Sequence, residues 1–226
     1  MSDKQVKSKQ RVADHGEVFT SEREVNAMLD LVKQETERID SRFLEPACGD
    51  GNFLAEILRR KLAVVKKQYG KSPSDYEKYA VLAATSIYGV DILQDNVEEC
   101  RERMFAIWDK EYTAACKQEV NQDCREAVRF ILQRNILCGN ALSLKQVDAL
   151  QQDLPEPIVF SEWAFVTGIL LKRRDFRLDE LLNNNASQPT LLTTGWEYDE
   201  ETHAFFPAPI REFPPTDYKR VQNHAE

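Results

Sequence analysis

Residues 42–54, Arg-Phe-Leu-Glu-Pro-Ala-Cys-Gly-Asp-Gly-Asn-Phe-Leu, decide how this chain is interpreted. The first residues suit a β-strand, two glycines one residue apart mark a tight turn, and a helical pattern of apolar residues follows. Glycine fits such a turn because it tolerates positive φ and lets a ligand approach the backbone. The stretch therefore predicts a strand, a turn and a helix, which together open a nucleotide-type α/β site.

The spacing of the glycines separates the candidate ligands. A dinucleotide fingerprint requires a third glycine where this chain has Leu54, and a P-loop requires Lys followed by Ser or Thr. The run 45–53 instead resembles motif I of S-adenosylmethionine-dependent methyltransferases, most of all the adenine-N6 DNA methyltransferases of restriction–modification systems. The alternative is an ordinary strand–helix turn without a ligand. The resemblance implies cofactor contacts from Glu45, Pro46, Ala47, Gly49, Gly51, Asn52 and Phe53.

An earlier segment resembles motif X of the same family. Residues 16–21 read Gly-Glu-Val-Phe-Thr-Ser, where the family usually has Gly-x-x-Phe/Tyr-Thr-Pro. The resemblance implies that Phe19 and Thr20 line the cofactor pocket. Ser21 replaces the usual proline, and with Glu24 it predicts a capping box at the start of a helix. A capped helix entry is also the alternative that involves no cofactor.

Two later strands are expected to end at the same site. Residues 86–92 predict a strand that ends in an acidic residue and resembles motif II, so Asp91 would hold the ribose hydroxyls and Ile92 would pack on the adenine. A helix-capping role is the alternative for this acid. The Gly-Asn-Ala-Leu run 139–142 resembles motif III, usually Gly-Asp-Ala-Leu. Asn140, beside Ala141, would accept from the adenine amino group without a charge.

The fourth predicted strand is where the resemblance weakens. Residues 157–163 occupy the place of motif IV, an apolar strand followed by Asn/Asp-Pro-Pro-Tyr/Phe, whose acceptors hold the target amine while the aromatic ring stacks on the flipped base. This chain has Ser-Glu-Trp-Ala at 161–164, without either proline. If catalysis persists, Glu162 would accept from the amine and Trp163 would stack. The later Pro-Pro at 214–215 lacks a leading Asn or Asp and predicts a turn or surface segment.

Charge does not favour nucleic acid as a partner of the whole molecule, because the net charge is −8. The densest basic stretch offers a local phosphate-contacting surface, with a solvated helix start as the equal alternative. Its candidate residues are Lys172, Arg173, Arg174 and Arg177. DNA binding would then need another domain or subunit, such as a restriction or specificity subunit.

Composition sets the remaining bounds. No run of eighteen apolar residues predicts a membrane span, and the polar start of the chain predicts no secretory signal. Five cysteines without C-x-x-C spacing and three scattered histidines predict reduced cytoplasmic thiols and no metal site. The expected organisation is a flexible arm (1–14), an S-adenosylmethionine-binding domain (15–182), and a C-terminal loop, hairpin and proline-rich tail (183–226).

The expected fold is α/β, a doubly wound Rossmann-like methyltransferase sheet with flanking helices, a short C-terminal extension, and the cofactor at the carboxyl ends of its strands. Two functions remain open. The first is an S-adenosylmethionine-dependent adenine-N6 DNA methyltransferase of a restriction–modification or defence system, needing a partner for DNA recognition. The second is an inactive, cofactor-binding pseudo-methyltransferase that acts as scaffold or sensor. A nicotinamide-dependent oxidoreductase is opposed by Leu54 and by the late acidic residue.

Overall fold

The computed structural model of the protein describes residues 7–15, 17–18, 20–182, 196–199 and 204–224. These residues form a mixed α/β fold. The helices are α1 (Lys9–His15), α2 (Glu22–Asp30), α3 (Lys33–Thr36), α4 (Asn52–Tyr69), α5 (Pro73–Thr85), α6 (Gln94–Cys116), α7 (Gln122–Asn135) and α8 (Leu178–Leu182). The strands are β1 (Phe43–Glu45), β2 (Ile87–Asp91), β3 (Ile136–Cys138), β4 (Lys145–Val147), β5 (Asp153–Pro157), β6 (Val159–Thr167), β7 (Leu170–Arg177), β8 (Trp196–Asp199), β9 (Ala204–Pro207), β10 (Arg211–Glu212) and β11 (Thr216–Asp217). Within these ranges no helix combines the length and apolar character that crossing a bilayer requires.

The first three strands form a parallel sheet in the order β1-β2-β3. Two helices connect each pair of neighbours, α4 and α5 in the first crossover and α6 and α7 in the second. Glu45 lies opposite Gly89 and Asp91 lies opposite Cys138, so the carboxyl ends of the strands meet at one edge. The predicted strand–turn–helix unit and the second and third strands are therefore confirmed.

Helix α4 packs its apolar stripe on this sheet, as its periodicity predicts. The buried positions include Leu54, Leu58, Leu62 and Val65, spaced three or four residues apart. Close packing requires a glycine in β2, because a Cβ at Gly89 would lie 2.8 Å from the Leu54 Cδ1 atom. The predicted capping box at the start of α2 is also confirmed, with both reciprocal hydrogen bonds present.

An antiparallel sheet covers the opposite face of the parallel one. Strands β6 and β7 form a hairpin, and β10 and β11 pair with β7. Tyr88 and Val90 of β2 pack against Ile158 and Phe160, which come from the start of the β6 hairpin. Among the described residues, therefore, this face of β2 packs mainly against a sheet, and Leu178 at the start of the short helix α8 belongs to the same cluster.

The expectation that residues 157–163 form a fourth parallel strand is wrong. The Ile158 N–H donates to the Leu144 carbonyl, in the turn that follows β3. Further along the strand, Glu162 pairs with Arg42, which immediately precedes β1. Strand β6 thus begins at the carboxyl edge of the parallel sheet and runs back towards its amino edge.

Both ends of the described chain are tied to the core. Part of the segment expected to be a flexible arm is helix α1. The C-terminal 3-10 helix Tyr218–His224 packs on α7, and the buried Glu77 accepts from the Tyr218 hydroxyl at 2.6 Å and pairs with Lys219 at 2.7 Å.

The predicted hairpin near residue 200 is confirmed by the pairing of β8 with β9. The loop predicted at the start of the C-terminal segment, from residue 183 onwards, lies outside the described residues.

Candidate cofactor site

The glycine turn after β1 has the backbone that its sequence predicts. Gly49 has φ 53° and Gly51 has φ 90°, both in the region that favours glycine. The Cys48 N–H donates to the Val90 carbonyl at 2.9 Å and fixes the turn beside β2. A Cβ at Gly51 would lie 2.6 Å from the Cys100 sulfur. Gly51 is therefore required for the packing of α6 on this turn, whether or not a ligand is bound.

Asp91 lies at the centre of the carboxyl edge and accepts three hydrogen bonds. Its Oδ2 accepts from the Gly49 N–H at 2.9 Å, and its Oδ1 accepts from the Leu93 N–H at 2.9 Å and from Asn96 Nδ2 at 3.2 Å. A carboxylate oxygen offers about two acceptor positions. Oδ1 is therefore filled, while Oδ2 keeps one position. In this arrangement the side chain can accept from one ribose hydroxyl, not through both oxygens as the sequence suggested.

The N-terminal segment reaches the same carboxylate through residues that sequence analysis missed. Asn96 Nδ2 also donates to Glu17 Oε1 at 2.7 Å, and Glu17 Oε2 pairs with Arg11 Nε at 2.7 Å. Arg11 also bonds to Asp95, and this hydrogen bond holds the pKa of the Asp95 carboxyl below its ordinary value. No local pattern in the sequence marks these contacts, because 79 residues separate Glu17 from Asn96.

The segment that resembles motif X is joined to the start of α4. Phe19 lies outside the described residues. Asn52 Nδ2 donates to the Thr20 carbonyl at 3.1 Å, and Asn52 Oδ1 accepts from Arg103 at 2.7 Å. Burial raises the pKa of the neighbouring Asp50 carboxyl, although Arg103 lies 3.4 Å away and opposes this shift. Thr20 and Asn52, both predicted site residues, are thus in contact, and Arg103 is an addition from the structure.

The remaining motif I residues line the exit of β1. Glu45 is half-buried, and burial raises the pKa of its carboxyl above the usual range, while the Ala47 N–H contacts its Oε1 at 3.4 Å. Pro46 and Ala47 are exposed, whereas Phe53 packs against the core. The Ile92 carbonyl, at the exit of β2, accepts from the Cys138 thiol at 3.6 Å.

Asn140 stabilises the turn in which it lies. Its Oδ1 accepts from the Leu142 N–H at 3.0 Å and the Ser143 N–H at 3.4 Å, and its Nδ2 donates to Asp153 at 2.9 Å. The amide oxygen thus has both acceptor positions occupied. The adjacent Ala141 packs against the apolar cluster formed by Tyr88, Val90, Ile158 and Phe160. The structure therefore assigns Asn140 a turn-stabilising role in place of the expected adenine contact.

The two residues expected to be catalytic lie elsewhere. Glu162 is held between Arg42 and Arg174, with Arg174 Nε 2.8 Å from its Oε2. Trp163 is only 5% exposed and donates its indole N–H to Asn135 Oδ1 at 2.9 Å. Because β6 runs towards the amino edge of the parallel sheet, Glu162 lies by the start of β1 rather than by its glycine turn. Neither side chain is available to a target base here, and this part of the sequence interpretation is corrected.

The predicted phosphate-contacting residues are all paired with carboxylates. Strand β7 alternates their side chains between the two sides of the sheet. Arg173 is 4% exposed and therefore buried. The pairs are Lys172–Glu212 at 2.8 Å, Arg173–Asp175 at 2.7 Å, Arg174–Glu162 at 2.5 Å and Arg177–Asp179 at 2.6 Å. This stretch is a set of ion pairs within the fold rather than a free basic surface.

Comparison with protein-family models, with curated proteins and with solved structures finds no match for this chain in any of the three. The described residues also contain no group of three or more His, Cys, Asp or Glu side chains able to hold a metal ion. The arrangement at the carboxyl edge offers one carboxylate with a remaining acceptor position and the first backbone N–H groups of the long helix α4. These groups suit binding of a polar small molecule that carries hydroxyls.

Proposed function

We propose that this chain is the cofactor-binding unit of an S-adenosylmethionine-dependent DNA methyltransferase of the adenine-N6 type, in a restriction–modification or defence system. The observation that carries the proposal is the junction of the glycine turn with the second strand. There the Asp91 carboxylate accepts from the Gly49 N–H and keeps an acceptor position on the same oxygen. A ribose hydroxyl is the group that such an acidic strand end receives in nucleotide-type α/β sites.

The finer fold belongs to the same proposal. We regard β1–β3 with their helical crossovers as half of a doubly wound, Rossmann-like sheet. In such sheets ligands bind outside the carboxyl ends of the strands where the strand order reverses. The described order β1-β2-β3 leaves β1 at one edge, with Leu44 39% exposed. A strand from a partner polypeptide beside β1 would complete the crevice.

The donor set of the edge fits the cofactor. Asp91 would receive a ribose hydroxyl, and Glu45, Gly49 and Thr20 would border the ligand. The N-terminus of α4, which begins directly after Gly51, favours a negatively charged group such as the carboxylate of the methionine moiety. When bound, the cofactor supplies the methyl group, and the residues of this chain would bind and orient it.

The transfer step requires groups that we expect from a partner. Adenine N6 is a weak nucleophile, so its amine must be aligned by acceptors and its extruded ring held by an aromatic side chain. Glu162 and Trp163 are occupied by arginines and by the core. The basic residues of β7 are likewise paired, and the net charge is −8. We therefore expect a partner to provide both base recognition and attraction to DNA.

The same engagement of Glu162 and Trp163 favours a second candidate function. If no partner supplies the missing groups, the chain is a pseudo-methyltransferase that binds the cofactor as a scaffold or sensor. The two candidates share the cofactor site and differ only in catalysis. They are therefore tested in two separate steps.

Calorimetric titration tests the cofactor site. S-adenosylmethionine should bind the wild-type chain and NAD should not. Asp91→Ala should weaken binding by roughly 2–4 kcal/mol, or about 30- to 1000-fold, because the charge-assisted acceptor on Oδ2 is lost together with the bond that holds the Gly49 N–H. Asp148→Ala is the matched control, since Asp148 also accepts backbone N–H groups but lies in the β4–β5 turn. An unchanged dissociation constant in Asp91→Ala would exclude the site.

Transfer of tritiated methyl groups to unmethylated genomic DNA separates the two candidates. The chain alone should transfer none, and addition of a cognate partner subunit should restore transfer only if the first candidate is right. Glu162→Ala should leave the restored activity unchanged. Robust transfer by the chain alone, abolished in Glu162→Ala, would show that our assignment of Glu162 to a structural ion pair is wrong.

A further inference from the structure

Asn96 is a buried amide with every hydrogen-bonding position filled. It is 1% exposed. Its Oδ1 accepts from Lys7 Nζ at 2.8 Å and Arg11 Nη2 at 3.0 Å, and its Nδ2 donates to Glu17 at 2.7 Å and Asp91 at 3.2 Å. An amide provides two acceptor and two donor positions, so none is left. Two cations face the oxygen and two carboxylates face the nitrogen, which fixes the orientation of the amide.

These bonds attach the N-terminal segment to the beginning of α6. Arg11, on α1, pairs with both Glu17 and Asp95, and Lys7 pairs with Glu99 at 2.6 Å. Asn96 is the residue that bonds to this segment on one side and to the Asp91 carboxylate on the other. The docked position of α1 and the orientation of Asp91 therefore depend on the same amide.

We propose that Asn96 is a positioning residue that couples the docking of α1 to the Asp91 carboxylate, so that α1 acts as a clamp on the cofactor edge of the sheet. This inference rests on the proposed cofactor function. With α1 docked, Asn96 and Leu93 fill Oδ1 and direct the remaining acceptor position, on Oδ2, to the ligand. With α1 released, Asn96 loses the partners that orient it, and Asp91 loses a fixed donor.

Coupling of this kind is reciprocal: if docking strengthens ligand binding, the ligand must strengthen docking by the same factor. The experiment therefore measures both sides on the full chain. Calorimetry gives the affinity for S-adenosylmethionine and for 5′-methylthioadenosine, which keeps the ribose but lacks the amino acid. Limited trypsinolysis at Lys9 and Arg11 reports how often α1 is released, with and without each ligand.

Two substitutions test the coupling, and a third is their control. Asn96→Asp keeps the shape but turns an oxygen towards the carboxylates of Glu17 and Asp91. Arg11→Ala weakens docking without touching Asp91, and it keeps the test valid if the buried substitution impairs folding. In each variant we expect affinity for both ligands to fall about 10-fold, within the usual range of couplings. Asn121→Asp is the matched control, because either residue caps α7 and it lies far from the clamp in sequence.

A conservative pair separates positioning from general stability. Glu17→Gln keeps an oxygen that can accept from Asn96 and should retain most of the affinity, whereas Glu17→Ala should lose it. In the wild type, each ligand should slow tryptic cleavage at Lys9. The factor should match the factor by which Arg11→Ala weakens the affinity for that ligand. Ligand binding that is unchanged in Asn96→Asp and Arg11→Ala, without protection of α1, would overturn the clamp and leave the cofactor site standing.

Two other outcomes are also decisive. Weakened binding of S-adenosylmethionine alone, with 5′-methylthioadenosine unaffected, would mean that α1 acts on the amino acid moiety and that the coupling through Asn96 and Asp91 is wrong. Failure of the wild type to bind either compound would overturn the proposed function and the clamp together.

Discussion

The two sheets of this molecule use charged residues in opposite ways. At the carboxyl edge of β1–β3, one carboxylate, Asp91, is held by neutral donors and keeps an acceptor position. In the β6–β7 sheet, Asp175 instead meets the buried Arg173 at 2.7 Å and Arg134 at 3.5 Å, and it accepts from the Ser161 hydroxyl at 2.6 Å. In the first arrangement one acceptor position of the carboxylate remains open. In the second, the charge of the carboxylate is neutralised by arginines of the same fold.

The comparison also shows that the kind of residue is a poor guide to its role. Arginines beside an aromatic residue resemble a phosphate-binding surface in the sequence, yet here they neutralise neighbouring carboxylates. What separates the two sheets is whether a carboxylate is paired with arginines of the fold, as Asp175 is, or accepts only from neutral donors and keeps an acceptor position, as Asp91 does. Substitutions in either sheet should therefore have different consequences for stability and for ligand binding.

The largest effect is expected where a buried charge loses its partner. Asp175→Ala leaves the Arg173 guanidinium, 4% exposed, without its bidentate carboxylate. Removal of one member of a buried ion pair costs about 3–5 kcal/mol. Urea denaturation should show this loss, whereas Asp179→Ala, which breaks the more exposed pair with Arg177, should cost at most about 1 kcal/mol. Equal losses in the two variants would show that the β7 network is not a buried one.

Gly51→Ala should be the next most damaging change, because it alters both conformation and packing. The positive φ of 90° strains any L side chain, and the new Cβ would lie 2.6 Å from the Cys100 sulfur. Backbone strain and overpacking each cost roughly 1–3 kcal/mol. Gly168→Ala is the control for strain alone, since φ there is 55° and nothing lies within 4 Å. A double-mutant cycle with Cys100→Ala should show positive coupling, and purely additive losses would refute the steric account.

Trp163→Phe should cost about 1–3 kcal/mol, because the buried Asn135 amide oxygen loses its donor while the aromatic packing is largely kept. Affinity for S-adenosylmethionine should not change. The measurement pairs denaturation with calorimetry on the same preparation. If stability were unchanged while methyl transfer by the complete assembly were lost, Trp163 would be a base-stacking residue after all.

The smallest effect concerns Lys61, the buried cation of the parallel half. Unlike Arg173, its hydrogen-bond partners among the described residues are uncharged, including the Ile39 carbonyl at 3.1 Å and the Ser86 hydroxyl at 2.5 Å. Burial lowers the pKa of Lys61 from 10.5 to about 7. Above pH 7 the unfolded chain therefore holds more protons than the folded one, and the free energy of unfolding should rise with pH.

This pH effect is isolated by subtraction from a Lys61→Met variant between pH 7 and 8.5. Below about pH 9 the cysteine thiols, whose pKa values burial raises at Cys116 and Cys124, contribute little in the opposite direction. The stability difference between wild type and variant should shift in favour of the wild type as pH rises. A difference that is independent of pH would mean that the oxygen partners keep Lys61 charged throughout this range.

Local signals predicted much of this structure. The capping box at Ser21, the apolar stripe of α4 and the glycine turn each depend on residues within a few positions of one another. For that reason the strand–turn–helix unit around the two glycines, the capped helix after Ser21 and the second strand were predicted where the structure has them. Thr20, Asn52 and Asp91 were also identified as members of one edge, and the structure brings Thr20 into contact with Asn52 and Asp91 into contact with Gly49.

Features that depend on distant partners were not predictable. The apolar run before Glu162 indicates a strand but contains nothing about its direction, and its partner Arg42 lies 120 residues away. No local pattern marks Asn96, because its partners in the N-terminal segment are 79 to 89 residues distant. Asn140 was expected to face a ligand because the run 139–142 resembles motif III. Its oxygen instead accepts within its own turn, which is a local contact, while its Nδ2 donates to Asp153, 13 residues away.

The most direct test of the account is a crystal structure of the chain with S-adenosylhomocysteine, the product of methyl transfer. We predict that the nucleoside lies over the carboxyl ends of β1 and β2, with a ribose hydroxyl bonded to Asp91 Oδ2 and the glycine turn beneath it. Asn96 should remain bonded to both Glu17 and Asp91. A ligand seated instead against the β6–β7 sheet, or bound with Asp91 still directed only at Gly49, Leu93 and Asn96, would contradict the central claim.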